Sequence, residues 1–350
     1  MTAVLEDDPV RLNDDFTHRI DHAAGSARAS GAVGDMIRLR DLRLRAGQHL
    51  GTSEATAWAN DASAAEVPDL FLDIGDTIPE IDVRALDLAR VRSAMAHHGA
   101  LIVRNLFDPR LARHYRVAID EVIEAANALA EATSKDEEDT RPTAMKGAYL
   151  PLGEGAGPLI RKHKTFLGKS GAIETFLSPK VSLDLLDRFE TLGLRRLLQG
   201  YFGDEPCLSF NKSVLRRAEP LPHAAEWHQD GAFMTEGIKS LNLWIALSEC
   251  GGGTDSPGMD LVPRRLDAVL PTGTNGAIFN WSVSGATVAE QFPGIAPARP
   301  YFAAGDAIFF DHFNLHATSS DPAFTEPRYA IETWFFAKSR CAVNQHPAYW

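Results

Sequence analysis

The sequence predicts a β-barrel or jelly roll that is buttressed on one side by helices. From Cys207 onwards, short apolar segments follow one another and are separated by turns rich in Gly and Pro, which is typical of an all-β barrel or jelly roll. Before Phe202, apolar residues instead recur at three- and four-residue steps, which is typical of helices. A chain of 350 residues can bury a large core, so we predict one large domain, residues 76–350, with an extension before it.

The segments that precede the strands read mainly as helices. Residues 1–75 are rich in Ala, Asp and Arg, and we predict an N-terminal extension that is partly helical and partly mobile. Leu86–His97 has helical spacing, and Gly99–Arg104 reads as a short buried strand. A second helix begins at Pro109 and runs to about Ala130, because Pro fits the first turn of a helix. Helical spacing returns over Val181–Phe202.

Residues 143–180 carry several Gly and Pro residues, so the sequence predicts a long loop here. Loops of this length in a compact domain are usually functional, and we predict a lid over a binding site. The basic island Arg161–Lys164 lies within this loop. It could bind a carboxylate or phosphate of a substrate, or it could be a solvated surface.

The remaining chain is predicted to form the strands of the barrel. Their predicted ranges are Cys207–Arg217, Glu226–Phe233, Ser240–Ser248, Met259–Val262, Ala277–Ser282, Arg299–Phe302, Ala307–Phe310 and Arg328–Lys338. The glycines at 251–253 follow one of these strands and lack the spacing of a phosphate-binding loop, so they give no support for nucleotide binding.

Composition narrows the class of partner. The formal net charge is −12 and no long basic block occurs, which argues against nucleic acid or an anionic membrane as partner. No run of about 18 apolar residues is present. The scattered residues Cys207, Cys250 and Cys341 are odd in number, so we expect independent thiols, as in a reducing compartment. We expect a cytoplasmic enzyme that acts on a small molecule.

A metal-binding pattern stands in the middle of the strand region. His228 and Asp230 are two residues apart, so a strand would point both side chains to one face, and His316 could add a third ligand from a neighbouring strand. His312 is a rival for that role, because residues 312 and 316 share a strand face. Two imidazoles and one carboxylate form the facial triad that is typical of non-haem Fe(II) oxygenases. Further along, Arg328 offers a planar guanidinium that can bind a carboxylate through two hydrogen bonds.

From about residue 78 to 340, the chain resembles the phytanoyl-CoA dioxygenase-like family of Fe(II)/2-oxoglutarate oxygenases. The resemblance is carried by the segment Gly99–Leu106 with the helix after it, by Trp227–Asp230, by the apolar strand Leu241–Leu247, and by Gly305-Asp306 leading to His316, Thr318 and Arg328. It implies a double-stranded β-helix core, which is a cupin-like jelly roll.

The resemblance also implies roles for residues. Fe(II) would be held by His228, Asp230 and His316, because the family's spacing from Gly305-Asp306 favours His316 over His312. Arg328 would bind the 5-carboxylate of 2-oxoglutarate, and Thr318 would assist it. A second set of residues could line the cosubstrate pocket or could equally be core or scaffold: Asn211, Ser213 and Trp244.

We therefore expect a dioxygenase that uses O2 to hydroxylate an unactivated carbon of a small organic molecule, with release of succinate and CO2. One alternative keeps these cofactors but ends in desaturation, cyclisation or epimerisation. A second alternative is a cupin-like metal protein or isomerase that does not use 2-oxoglutarate, against which Arg328 and Thr318 argue.

Overall fold

The computed structural model describes residues 9–50, 67–134, 147–152, 171–220, 226–234, 238–341 and 343–350. In these ranges the helices are α1 (Pro9–Ser30), α2 (Val33–Leu50), α3 (Leu88–His97), α4 (Pro109–Ser134), α5 (Pro179–Thr191), α6 (Leu194–Phe202) and α7 (Gly285–Gln291). Single 3₁₀ turns occupy Val83–Ala85, Thr175–Leu177, Asp230–Phe233, Lys338–Arg340 and Val343–Gln345. None of the described helices is long and apolar enough to cross a membrane.

The strands are short, and most of them belong to one sheet. They are β1 (Glu80–Asp82), β2 (Ala100–Arg104), β3 (Ala172–Glu174), β4 (Pro206–Ser209), β5 (Val214–Ala218), β6 (Ser240–Ala246), β7 (Cys250–Gly251), β8 (Met259–Leu261), β9 (Tyr301–Phe302), β10 (Ala307–Phe310), β11 (His316–Thr318), β12 (Arg328–Ala337) and β13 (Pro347–Tyr349).

Three layers stack on one another: helices, a nine-stranded sheet and a smaller β layer. Strand β6 shows how the sheet is buried on both faces, since all of its residues are buried. Its alternate residues Leu241 and Leu243 pack against the helices, whereas Trp244 and Ala246 pack against the smaller β layer. The predicted jelly-roll core with flanking helices is confirmed.

The large sheet has the strand order β1-β2-β10-β6-β12-β4-β13. Its longest strand, β12, pairs with β5 through Arg328–Glu332 and with β4 through Phe335–Ala337, while β3 extends the sheet beyond β5. Only the β1–β2 pair is parallel among the described pairs.

The smaller β layer contains the pairs β8–β11 and β7–β9. Isolated bridges extend it from Val283 through Trp227 and His228 to His316 on β11, and from Leu261 on β8 to Ala298. The segment around His228 therefore lies beside β11 and across the barrel interior from the large sheet.

Helices α1 and α2 pack on α5 and β13 at the end of the chain. Their contact is made by small and aliphatic side chains, together with Leu183 and Tyr349. Two arginines reinforce it, since buried Arg43 donates to the Tyr349 carbonyl (3.1 Å) and Arg28 donates two hydrogen bonds to Asp187. Hydrophobic periodicity is weak in these two helices because alanine supplies much of the packed surface.

The predicted strand boundaries differ from the structure in specific places. Ala307–Phe310 agrees in full. The predicted strand Cys207–Arg217 is two strands joined by a turn, and the predicted helix Val181–Phe202 is two helices separated at Gly193, whose φ of +71° ends the first helix. Glu226–Phe233 is wrong as a regular strand: it has bridges at Trp227 and His228 and then a 3₁₀ turn.

The prediction of a strand at Ala277–Ser282 is wrong. This apolar run lies in a loop that the hydrogen bond from Gly273 N to Ser282 O (2.9 Å) closes. Asn275 and Gly276 both have positive φ, which turns the chain away from an extended path. The apolar side chains of Ile278 and Phe279 are exposed instead of buried, so apolarity here does not mark a core strand.

Only the ends of the predicted lid, 143–180, are described, namely 147–152 and 171–180. The second end is not a loop, because β3 and the first residues of α5 lie in it. The basic island Arg161–Lys164 lies outside the described residues.

The expectation of three independent thiols is corrected by the structure. Cys207 and Cys341 are joined as a disulfide across 134 residues, and Cys250 is a buried free thiol. Cys207 on β4 and Cys341 after β12 meet because β4 and β12 are paired neighbours. Sequence spacing does not reveal this pairing.

Gly305 and Asp306 form the turn that starts β10. Gly305 has a φ of +104°, and a Cβ atom there would lie 2.1 Å from the Phe107 carbonyl oxygen. Asp306 accepts hydrogen bonds from the backbone N–H groups of Asn105 and Ala303 and pairs with Arg104 at 2.8 Å. This motif is therefore a structural clamp between β2 and β10.

We expect Gly305→Ala to lower the free energy of unfolding by more than about 3 kcal/mol, because it adds a backbone clash to an unfavourable φ. Gly294→Ala is the matched control: its φ is +79°, but nothing lies within 4 Å of the added Cβ. That variant should lose only about 1–2 kcal/mol. Urea denaturation followed by circular dichroism measures both, and equal losses would contradict the role of the close approach.

Candidate metal centre and cosubstrate pocket

The backbone brings His228 and His316 side by side. The two residues exchange both of their hydrogen bonds, His228 N to His316 O at 2.9 Å and His316 N to His228 O at 3.0 Å. Their rings consequently lie on the same face of the small layer, with centroids 4.4 Å apart.

Asp230 joins them through a local change of backbone. Gln229 is extended, and the 3₁₀ turn Asp230–Phe233 begins directly after it. The Gly231 N–H donates to the His312 carbonyl (2.8 Å), which fixes this turn against the segment before β11. The Asp230 carboxylate therefore reaches the two rings from the point where an extended segment ends and the turn begins. The regular strand that the sequence predicted over Glu226–Phe233 is not what places it.

Gln229 is fully buried and points away from these three side chains. Its amide nitrogen donates to the carbonyls of Ala268 (2.9 Å) and Phe313 (2.7 Å), and its oxygen accepts from Leu270 N (2.7 Å). Gln229 thus ties two loops to the His228–Asp230 segment, and the sequence did not predict this role.

The candidate ligand atoms of His228, Asp230 and His316 all lie within 4.8 Å of one another, with His228 Nε2 3.8 Å from Asp230 Oδ1. Nδ1 of His228 contacts the Glu226 carbonyl at 3.2 Å, and Nδ1 of His316 contacts the Asn314 carbonyl at 3.1 Å. Because a carbonyl oxygen only accepts, Nδ1 of each ring carries a proton, which leaves Nε2 as the nitrogen that can bind a metal. The backbone thus orients both imidazoles as candidate metal ligands.

Electrostatics in this cluster favours a cation. Burial, with the neighbouring His316, lowers the pKa of His228 well below its usual value, so this ring is neutral. Burial raises the pKa of Asp230, although His316, Lys212 and a hydrogen bond from Asn242 oppose that shift. A buried carboxylate beside two imidazoles fits a divalent ion, and this donor set suits Fe(II).

His312, the rival third ligand, is not in this group of side chains. Burial lowers the pKa of His312 to about 4, and its ring lies against Phe313 at 4.0 Å between centroids. It contributes its backbone carbonyl to the Asp230 turn.

Charged side chains extend from the metal cluster along the inner face of the large sheet. Arg216 Nη1 contacts Glu332 Oε1 at 2.8 Å, and Arg328 Nη2 lies 3.8 Å from the same oxygen. Lys212 and Arg216 lower the pKa of His228, and Glu332 raises that of Asp230, so these three side chains lie within electrostatic reach of the metal cluster. Three cations and one anion make the row net positive next to the metal cluster.

Arg328 is the most deeply buried cation of the row, with a relative exposure of 1%. Its Nη1 donates to the Gly258 carbonyl (2.9 Å), its guanidinium lies 5.4 Å from the centre of the Trp244 ring, and its Nε has no partner among the described residues. Burial lowers the pKa of Arg328 to about 10, which keeps it protonated at neutral pH. It is a buried cation with unused donor capacity.

The remaining predicted pocket residues occupy different positions. Thr318 lies on β11 two residues after His316 and so shares its strand face. Trp244 is a core residue that also contacts Arg328, packing on Phe302 at 5.0 Å. Asn211 and Ser213 lie in the turn between β4 and β5 and not on one strand face, and each has a side-chain oxygen without a partner in the described part of the chain.

Sequence reasoning missed Asn242 and Glu332. Asn242 stands as a polar residue inside the apolar strand β6, which is a signal that could have been read. Glu332 lies four residues after Arg328 on β12, so strand alternation places both on one face.

Comparisons with known proteins give only distant likenesses. No family model and no curated protein matches the chain. Among solved structures, it is similar to the non-haem α-ketoglutarate-dependent carbocyclase SnoK from nogalamycin biosynthesis (15% identity, 74% of this chain and 87% of that chain, TM-score 0.46). It is also similar to EvdO2 from Micromonospora carbonacea var. aurantiaca in complex with 2-oxoglutarate (15% identity, 75% of this chain and 93% of that chain, TM-score 0.44). A third similar structure is the epimerase SnoN in complex with Fe3+, α-ketoglutarate and nogalamycin RO (18% identity, 71% of this chain and 83% of that chain, TM-score 0.41).

Each of these structures is described as dependent on, or in complex with, 2-oxoglutarate. Membership of the phytanoyl-CoA dioxygenase-like family stays a prediction, as do the roles of the site residues.

We expect Asn242→Leu to weaken binding of a divalent metal about 10- to 100-fold, because Asp230 loses the donor that orients it. Ser240→Ala is the matched control, since Ser240 is a buried polar residue on the same face of β6 and its hydroxyl has no partner among the described residues. Calorimetric titration of the metal-free protein with Mn(II) measures this affinity. An unchanged affinity in Asn242→Leu would remove Asn242 from the site.

Proposed function

We propose that this protein is a non-haem Fe(II)/2-oxoglutarate-dependent oxygenase that hydroxylates an unactivated carbon of a small organic molecule. The single observation that carries the proposal is the arrangement of one interior: a His-Asp-His cluster next to a net positive row that leads to a buried arginine. A dicarboxylate that chelates a metal through one end needs a metal site for that end and a cation for its other carboxylate, and this interior offers both.

In this proposal His228, Asp230 and His316 hold Fe(II) through two Nε2 atoms and one carboxylate oxygen. Asn242 orients the carboxylate, and the carbonyls of Glu226 and Asn314 fix the two rings. Iron and 2-oxoglutarate, when bound, would supply the oxidation with O2 and yield succinate and CO2.

Arg328 binds the distal carboxylate of 2-oxoglutarate. Its guanidinium is held in place by the Gly258 carbonyl and the Trp244 ring and still has donors available. Lys212 and Arg216 add positive charge, which the nearby Glu332 offsets only in part. The unused donors of this buried arginine distinguish the proposal from a metal protein that does not use a dicarboxylate.

Hydroxylation is the proposed outcome because the triad is complete: Asp230 supplies a carboxylate where a halogenating site would leave a position for chloride. The same side chains are compatible with desaturation, cyclisation or epimerisation, since the outcome depends on how the substrate carbon is placed. Mass spectrometry of the product distinguishes these outcomes, because hydroxylation alone adds one oxygen atom to the substrate.

Anaerobic addition of Fe(II) and 2-oxoglutarate together should produce the weak visible charge-transfer absorption of a 2-oxoglutarate chelate. Each addition alone should not produce it, because the band requires both partners on one metal. Asp230→Ala should abolish the band, since it removes the only carboxylate of the cluster. Absence of the band from the native protein at saturating concentrations of both would contradict the proposed function.

Arg328→Ala should weaken 2-oxoglutarate binding at least about 30-fold, because it removes one side of a buried charge pair, while metal affinity changes little. Arg328→Lys keeps the charge but not the planar fork, so its affinity for 2-oxoglutarate should lie between those of the native protein and Arg328→Ala. Arg84→Ala, at an exposed arginine, is the control. Titration of the charge-transfer band gives the affinities, and an unchanged affinity in Arg328→Ala would move the anchor to Arg216 or Lys212.

A further inference from the structure

A closed loop, residues 273–283, lies beside the metal-binding segment and is rigidly attached to it. Trp227 forms a backbone bridge with Val283, and the Val283 N–H donates to the Trp227 carbonyl at 2.8 Å. The carboxylate of Glu226 accepts from Ser282 Oγ (2.7 Å) and from Ile278 N (3.2 Å). Glu226 is two residues before His228, so this loop is positioned directly by the proposed metal site.

The loop presents an aromatic stack to the metal cluster. Phe279 and Trp281 are parallel, with ring centroids 4.9 Å apart and an interplanar angle of 4°. Trp281 lies 5.7 Å from the His228 ring, and Phe233, at the end of the Asp230 turn, lies 5.4 Å from Trp281 and 6.1 Å from His228. These aromatic rings therefore lead from the surface to a proposed iron ligand.

The outer end of this stack is exposed apolar surface. Phe279 is 47% exposed and its neighbour Ile278 is 66% exposed. On the other side of the Asp230 turn, Val269 is 37% exposed, and a Cβ at Gly231 would lie 2.8 Å from it. These are three of the seven large hydrophobic residues exposed in the described part of the chain, and they flank the Asp230 turn on its Gly231 side and its Phe233 side. We call this exposed apolar surface around the turn the mouth, and exposed apolar residues that lie near one another are typical of a binding surface.

Polar groups around this mouth are already used within the protein. The Glu226 carboxylate and the Ser282 hydroxyl bond to the loop itself, and the Gln229 amide bonds to the backbone on the Val269 side. Burial lowers the pKa of the adjacent His312 to about 4, so that ring adds no charge at neutral pH. Among the described residues, a ligand at this mouth meets mainly aromatic and aliphatic surface, with the exposed Asn280 beside Phe279 as a polar neighbour.

We propose that the stack of Phe279 and Trp281 is the substrate platform of this enzyme and takes a flat, uncharged aromatic ring. The proposal rests on the proposed function and names its substrate class. An aromatic ring laid on Phe279 continues the parallel stack, and its substituents extend past Trp281 towards the metal. A sugar ring also stacks on aromatic faces, but its hydroxyls need several polar partners, and the Glu226 carboxylate, the Ser282 hydroxyl and the Gln229 amide are already engaged within the protein.

The test uses the metal-free full-length protein labelled with 5-fluorotryptophan. The chain has six tryptophans, and Trp281→Phe identifies the fluorine signal of Trp281. The probes are 1-naphthol, its saturated and non-planar counterpart decahydro-1-naphthol, and methyl β-D-glucopyranoside. We expect 1-naphthol to shift the Trp281 signal in a saturable way and the other two probes to leave it in place.

Substitutions at Phe279 measure the contribution of the platform. Phe279→Ala should weaken 1-naphthol about three- to ten-fold, and Phe279→Tyr, which keeps the ring, should leave its affinity close to native. Tyr301→Ala is the matched control, because Tyr301 is an aromatic residue with a similar exposure of 43% on β9. Equal binding of decahydro-1-naphthol, a shift caused by the glucoside alone, or the same affinity in Phe279→Ala and native protein would overturn the proposal.

Adding Mn(II) separates this proposal from the proposed function. Mn(II) bound at the His-Asp-His cluster should broaden the proton signals of bound 1-naphthol, and Asp230→Ala should remove the broadening while it keeps the shift of Trp281. Failure of Mn(II) to bind without any probe would count against the metal centre and leave the platform result standing. Mn(II) binding with a Trp281 shift but no broadening would place the ring far from the metal and overturn its assignment as substrate platform.

Discussion

The reciprocal backbone hydrogen bonds between His228 and His316 are the constraint on which the site depends. They come from segments 88 residues apart in the chain, and they hold two imidazoles on one face without help from a long strand. Nδ1 of each ring is held by a backbone carbonyl two residues earlier, so backbone contacts set the orientation of both rings. Asp230 and the loops tied by Gln229 and Glu226 are all placed relative to this pair.

The interior of the barrel contains charged side chains of both signs. Asp230 and Glu332 face Lys212, Arg216 and Arg328 in a region largely withdrawn from water. Buried charges are unfavourable unless they are paired, and Arg328 Nε has no hydrogen-bond partner in the described part of the chain. Most of the favourable packing lies elsewhere, between the helices and the outer face of the large sheet, where the largest hydrophobic cluster is found. Stability and binding therefore reside on opposite faces of the same sheet.

The interior of the site contains buried charged side chains, whereas in its outer part apolar side chains are exposed on a backbone held by hydrogen bonds. The polar side-chain atoms of Glu226 and Gln229 form hydrogen bonds with the backbone of the loops. These bonds hold the loops in place, while Phe279 and Ile278 remain exposed to water. Side chains that do not contribute to the core are expected where a binding surface is needed. The same segment, residues 226–230, thus supplies ligands, a turn and two loop anchors.

The sequence by itself determined the jelly-roll class and the strand Ala307–Phe310, because alternation and short-range spacing are local properties of the chain. It also offered His228, Asp230 and His316 as candidate ligands, but only the tertiary structure brings His316 beside the other two, since it lies 88 residues after His228. Tertiary structure alone decided the pairing of Cys207 with Cys341, the docking of the first two helices and the contact of Asn242 with Asp230, since each joins distant segments. It also turned the predicted strand Ala277–Ser282 into a surface loop. Apolar composition cannot say whether a segment will be buried, because burial depends on which surfaces the rest of the chain brings to cover it.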